Sequence, residues 1–147
     1  MTLERDELCA LIPHAGSMCL LDRIVCWDDG SIICTTASHC RQDNPLRTAA
    51  GLAAIHGVEY GAQAMAAHGG LLARRAGASL PAGYLAALRD VRLHVTRLDL
   101  VPGVLHVAAT RLMADGGNLM YRVEVSGAGR LLVEARVTVA DMSWRKQ

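Results

Sequence analysis

Glu59 interrupts a run of small and apolar residues, IHGVEYGAQAMAAHGG, in which a carboxylate has no evident packing role. His56 lies three residues before it and Gln63 four residues after it, a spacing that puts all three on one face of a helix. They form a polar stripe. If the stripe is buried, an unpaired Glu there is driven towards its neutral form, which suits a general acid or a hydrogen-bond donor; if it faces solvent, it needs no chemical role. His39 is the second candidate, at the end of a predicted strand and just before a polar loop, where its side chain can point across to a helix start. A His and a Glu brought together suffice to remove and return a proton near neutral pH.

The other candidates divide by geometry. His68 is nine residues from Glu59, about 900° of rotation at roughly 100° per residue, so it points to the opposite side and reads as structural or as facing a partner subunit. His94 and His106 sit within predicted strands, and His14 follows Ile12-Pro13 in a turn; all three read as structural. No Cys-x-x-Cys, His-x-x-x-His or carboxylate cluster has metal spacing, and no Gly-rich phosphate loop or Gly-x-Ser-x-Gly elbow occurs, so neither a metal nor a cofactor is expected. A formal charge of +1 with dispersed arginines gives no case for nucleic-acid binding. Five cysteines (Cys9, Cys19, Cys26, Cys34, Cys40), odd in number and mostly in apolar segments, read as buried free thiols of a reducing cytoplasm. Without a basic-then-apolar leader, or an apolar run of about 18 residues, the chain reads as unexported and without a membrane span.

The positioning elements follow from periodicity and turn signals. Residues 8–13 suggest a short helical turn, and 18–27 and 31–39 read as strands joined at Asp28-Asp29-Gly30. The polar stretch 42–51, with Pro45, reads as a loop before a helix over 53–76. Gly57, Gly61, Gly69 and Gly70 lie inside that helix at about 0.5–1 kcal/mol each relative to Ala, so their number points to close approach by a wrapping sheet. Arg74 and Arg75 suit the helix C-terminus, and Gly77 its end. Strands are expected over 84–98, 104–113, 119–126 and 130–140. A chain of 147 residues with no repeat or linker is one domain, 1–147. Its α+β order, two strands, one long helix and then four strands, is most economically satisfied by wrapping an antiparallel sheet around the helix, the hotdog fold. An exposed edge strand in such a sheet makes a homodimer the minimum expectation.

The motifs also resemble a known family. Residues 11–23, LIPHAGSMCLLDR, resemble the Pro-His and Leu-Asp-Arg strand that open the bacterial 3-hydroxyacyl-acyl carrier protein dehydratases. Asn44-Pro45 falls where that family carries Glu-Pro, and EYGAQ over 59–63 matches its helix motif. YLAALRDVR over 84–92 is similar to its third strand, and Val101-Pro102-Gly103 to the following turn. The segments DNPLR and GVEYGAQAMAAHGGL, followed by LRDVRLHVTRLD, are most similar to the dehydratase-like hotdog proteins of aryl-polyene biosynthesis, the ApeP-like group.

The resemblance implies a lyase that dehydrates 3-hydroxyacyl thioesters to 2-enoyl thioesters in fatty acid, polyketide or aryl-polyene synthesis, without a cofactor. Glu59 matches the family's helix carboxylate and Gln63 its supporting residue. The family's Gly-His-Phe-Pro loop is missing, so its catalytic His has no direct counterpart. His39, reaching in from the other protomer, is the preferred substitute and His56 the second. Backbone N–H groups near Gly57 would polarise the thioester carbonyl, and Arg41, Arg47, Arg74 and Arg75 would meet an acyl carrier protein or acyl-coenzyme A. Two other activities stay open: a hotdog thioesterase, or a non-catalytic subunit paired with an active dehydratase in a heterodimer.

Overall fold

The computed structural model describes residues 2–12, 18–78 and 83–141. The expectations for Pro13 and His14 lie outside those residues. In chain order the elements are β1 (Leu3–Glu4), α1 (Arg5–Ala10), β2 (Arg23–Trp27), β3 (Ser31–Thr36), 3-10 turns at Ser38–Cys40 and Ala54–His56, α2 (Gly57–Arg75), β4 (Gly83–Leu93), β5 (Leu105–Asp115), β6 (Asn118–Gly127) and β7 (Arg130–Asp141). The strands form one antiparallel sheet in the order β1-β2-β3-β5-β6-β7-β4. It curves around α2, which touches β3, β5, β6 and β7.

Alternation along the strands decides which face meets the helix. Leu105, Val107 and Ala109 of β5, Tyr121, Val123 and Val125 of β6, and Val133, Ala135 and Val137 of β7 are all buried, whereas His106 and Thr110 are exposed. Two of the glycines of α2 have the packing role expected of them, while Gly70 faces Leu11 instead of the sheet. A Cβ on Gly61 would lie 2.5 Å from Val123 Cβ, and one on Gly57 would lie 2.9 Å from Val133 Cγ2. Helix and sheet therefore meet at backbone distance. The β2–β3 turn is held by Asp28 Oδ1, which accepts from the amides of Gly30 and Ser31, and those bonds pull the Asp28 carboxyl below its usual pKa.

Three expectations are corrected by tertiary bonds. The strand expected from residue 18 begins only at Arg23, because Leu20 gives its amide to a helix side chain and its carbonyl to the hydroxyls of Thr36 and Ser38. The strand expected through residue 98 ends at Leu93, and the following segment crosses the helix start, where Ala54 N–H donates to Thr96 O and Leu98 N–H to Leu52 O. The cysteines are not five buried free thiols. Cys9 and Cys19 form a disulfide with Cα atoms 5.8 Å apart, close enough because α1 folds back onto the segment before β2. Arg5 makes that fold by donating to the carbonyls of Cys19 and Leu21 and pairing with Asp22. Of the free cysteines only Cys34 is buried, and burial pushes its thiol pKa up to about 12; Cys26 and Cys40 are exposed.

Candidate active site

The start of α2 is held by groups that lie outside the polar stripe. Asp99, whose side chain is 2% exposed, accepts from the amide of Leu52 and from Arg97 Nε at 3.1 Å, and Arg47 Nη2 lies 3.6 Å away. The Arg97 hydrogen bond above all holds the Asp99 carboxyl well below the usual carboxylate range. On the other side Tyr60 OH meets Ser38 Oγ at 2.9 Å and Asn44 Nδ2 at 3.0 Å, all buried. The helix start is clamped from two directions.

Gln63 turns that rigidity into the orientation of a carboxylate. The backbone N–H of Leu20 can only donate, so the Gln63 atom 2.8 Å from it is Oε1. This leaves the Nε2 amide to donate to Met18 O at 2.9 Å and to Glu59 Oε1 at 3.2 Å. Gln63 is 3% exposed and Glu59 is exposed, so a buried amide holds a carboxylate at the surface of the single chain. Of the two readings of the stripe, the protomer shows an accessible carboxylate with a fixed partner. His56, half-buried, occupies the N-cap one turn earlier.

His39 is placed differently from the expected strand end. It lies in the 3-10 turn Ser38–Cys40, 0% exposed, with Nε2 3.0 Å from Val101 O and 3.3 Å from Cys40 Sγ. A carbonyl cannot donate, so Nε2 carries the proton and the basic lone pair sits on Nδ1, which is buried without a partner. Burial lowers the His39 pKa, against the Val101 hydrogen bond. No hydrogen bond links His39 to Glu59 within the protomer. The expected amide donors near Gly57 are turned inwards, because the preceding 3-10 turn closes them on the carbonyls of Ala54 and Ile55. Only the positive end of the helix dipole remains there.

The four arginines do not form one patch. Arg41 and Arg47 precede α2 while Arg74 and Arg75 end it, and the helix itself is roughly 28 Å long at about 1.5 Å per residue. Arg41 pairs with Asp22, and Arg75 pairs with Asp29 and lies over Trp27. His68, as its spacing required, points away from Glu59: it is buried between Tyr121 OH and Asp28 O. His94 has an acid that its own strand did not reveal, Glu134 of β7, 3.0 Å away. Among the described residues no three His, Cys, Asp or Glu side chains converge as metal ligands, and no helix is long and apolar enough to cross a membrane. Sequence reasoning missed Asp99, Arg97 and Tyr60, whose roles depend on partners far along the chain.

One long helix wrapped by a curved antiparallel sheet, with a carboxylate on the helix's first turn, defines a hotdog-fold protein. The chain belongs to the ApeP-like family, described as ApeP dehydratase, whose model matches residues 7–146. The dehydratase heterocomplex ApeI:P from Xenorhabdus doucetiae is similar in structure, with a TM-score of 0.81 and 23% identity over 91% of this chain and 90% of that one. Similar folds at lower identity include a mutant thioesterase PA1618 from Pseudomonas aeruginosa (TM-score 0.57, 16% identity, 95% of this chain and 94% of that one). The PaaI protein from the E. coli phenylacetic acid degradation operon is another (TM-score 0.61, 12% identity, 92% and 90%). A search of curated proteins returns no match.

Proposed function

We propose that this chain dehydrates 3-hydroxyacyl thioesters, carried on the phosphopantetheine of an acyl carrier protein or on coenzyme A, with Glu59 as the working carboxylate. The observation that carries this reading is the Gln63 grip, which fixes an exposed carboxylate as a reacting group must be fixed. The ApeP-like family supports the reaction class. An imidazole removes the C2 proton, made acidic by the neighbouring thioester carbonyl, and Glu59 protonates or holds the departing C3 hydroxyl. The protomer geometry favours His56 over His39 for the imidazole: His56 is half-buried on the helix face of Glu59, whereas His39 reaches substrate only if its turn moves.

The site is completed by a second chain along β4. Among the described residues this strand is paired with β7 alone, and it exposes Leu85, Leu88 and Leu93. A second copy or another dehydratase subunit would extend the sheet there, and the Xenorhabdus relative is a heterocomplex by description. Carrier contact falls to Arg41 and Arg47, at the helix end nearer Glu59. Thioester hydrolysis would use the same carboxylate to activate water. Incubation with carrier-bound 3-hydroxyacyl and enoyl thioesters, read by mass spectrometry, separates the activities. Loss of one water is the expected result, while release of free acid would convert the assignment to a thioesterase. No turnover, alone or with a second dehydratase subunit, would refute both.

A further inference from the structure

We infer that the Cys9–Cys19 disulfide is a positioning clasp for Glu59, acting through the backbone of residues 18–20 and Gln63, and that a thiol reductant releases it. The inference rests on the reading of Glu59 as the working carboxylate. Cys19 is 4% exposed, and its two chain neighbours supply the two backbone groups that grip Gln63: Met18 its carbonyl and Leu20 its amide. Gln63 in turn holds Glu59. One residue of backbone and one side chain separate the disulfide from the carboxylate.

The clasp matters because this segment lacks a ladder. Residues 18–22 precede β2, and although Asp22 N–H donates to Thr35 O at their end, no row of strand bonds holds Met18 to Leu20 in register. Arg5 bonds the carbonyls of Cys19 and Leu21 from α1, but its side chain is 39% exposed and water competes for it. The disulfide is the covalent tie between α1 and the segment, and breaking it widens the range of positions open to Met18 and Leu20. The Leu20 carbonyl stays bonded to Thr36 and Ser38, so reduction loosens the grip on Gln63 without dismantling the core.

Reduction has a defined course. Cys9 is half-buried and Cys19 buried, so a reductant thiolate attacks Cys9 Sγ. A new S–S bond forms between reagent and Cys9, the Cys9–Cys19 bond breaks, and its electron pair leaves on Cys19 Sγ, which takes up a proton. The second thiolate of a dithiol then attacks the reagent's own sulfur in the mixed disulfide. Cys9 is released as a thiol, and the reagent departs as a cyclic disulfide carrying the oxidation.

The full chain, oxidised and then treated with dithiothreitol, tests this. Intact mass should rise by two hydrogens. By NMR, the Leu20 backbone amide and the Gln63 side-chain amide should exchange faster by about tenfold, while core amides such as that of Val123 stay protected. With a 3-hydroxyacyl thioester, kcat should fall by up to about tenfold at little-changed KM, and reoxidation should restore it. The double variant Cys9→Ser, Cys19→Ser should sit at the reduced level and ignore dithiothreitol. Free thiols at all five cysteines before reduction would overturn the inference. So would a confirmed mass gain with the Leu20 and Gln63 signals unmoved, or protection lost throughout the core. If those two signals respond but neither state turns over substrate, the clasp stands and the dehydratase reading fails.

Discussion

Glu59 and Gln63 act as one unit, and their variants should separate chemistry from stability. Glu59→Gln is expected to lower kcat by about 10²- to 10⁴-fold with an unchanged thermal midpoint, measured by steady-state kinetics and calorimetry, because the side chain is exposed and a glutamine oxygen can still accept from Gln63. Gln63→Leu should do both kinds of damage. It leaves the amide of Leu20 and the carbonyl of Met18 without their partner, at a cost of about 1–3 kcal/mol in denaturant unfolding, and it frees Glu59. The imidazoles are distinguished in the same way: His56→Ala should lose turnover and keep stability, and the reverse result with His39→Ala would make the buried ring structural. His39 and His68 also set a pH dependence. Burial lowers both pKa values, so the unfolded chain binds protons more readily. Stability is full above the unfolded value of about 6.5 and declines as pH falls through and below it, which unfolding at pH 7 and pH 5 would show as a loss at pH 5.

The helix is held by what its sequence omits as much as by what it contains. At Gly61 an added methyl would strike Val123 Cβ of β6, so Gly61→Ala should destabilise by about 1–3 kcal/mol although alanine is the better helix former. That sign reversal, measured in urea, tests whether helix and sheet touch at backbone distance. Neither His56 nor Ala53 makes a side-chain cap, and Asp99 instead holds the segment leading into the helix through the amide of Leu52. Asp99→Asn should destabilise at pH 7, and the difference from wild type should shrink as pH falls below about 4, where the native carboxyl's depressed pKa no longer favours folding.

For the whole molecule, the decisive surface is the β4 edge. Leu85→Lys with Leu88→Lys places charges on exposed apolar positions, so in sedimentation a dimer should become a monomer with its circular dichroism retained. If the mass does not change, the second chain does not sit on β4. The fold was legible because each segment carries its own signal: the period of β5 to β7, the Asp-Gly and Gly-Gly turns, and one glycine-rich helix. The start of β2 at Arg23 and the end of β4 at Leu93 were not. Their backbone groups are taken by Gln63, Thr36, Ser38, Leu52 and Ala54, and no local pattern announces a partner tens of residues away.

By itself the sequence determined the α+β order, the central helix, the common face of His56, Glu59 and Gln63, and the opposite heading of His68. All of these follow from period and spacing within one element. Tertiary structure alone decided that Met18 and Leu20 turn the Gln63 amide towards Glu59, that His39 turns its ring inward to Val101, and that Cys9 meets Cys19. Each of those depends on two segments packing together. Helical spacing fixes angles along one axis, but the distance between elements is set by how closely glycines and side chains allow them to approach.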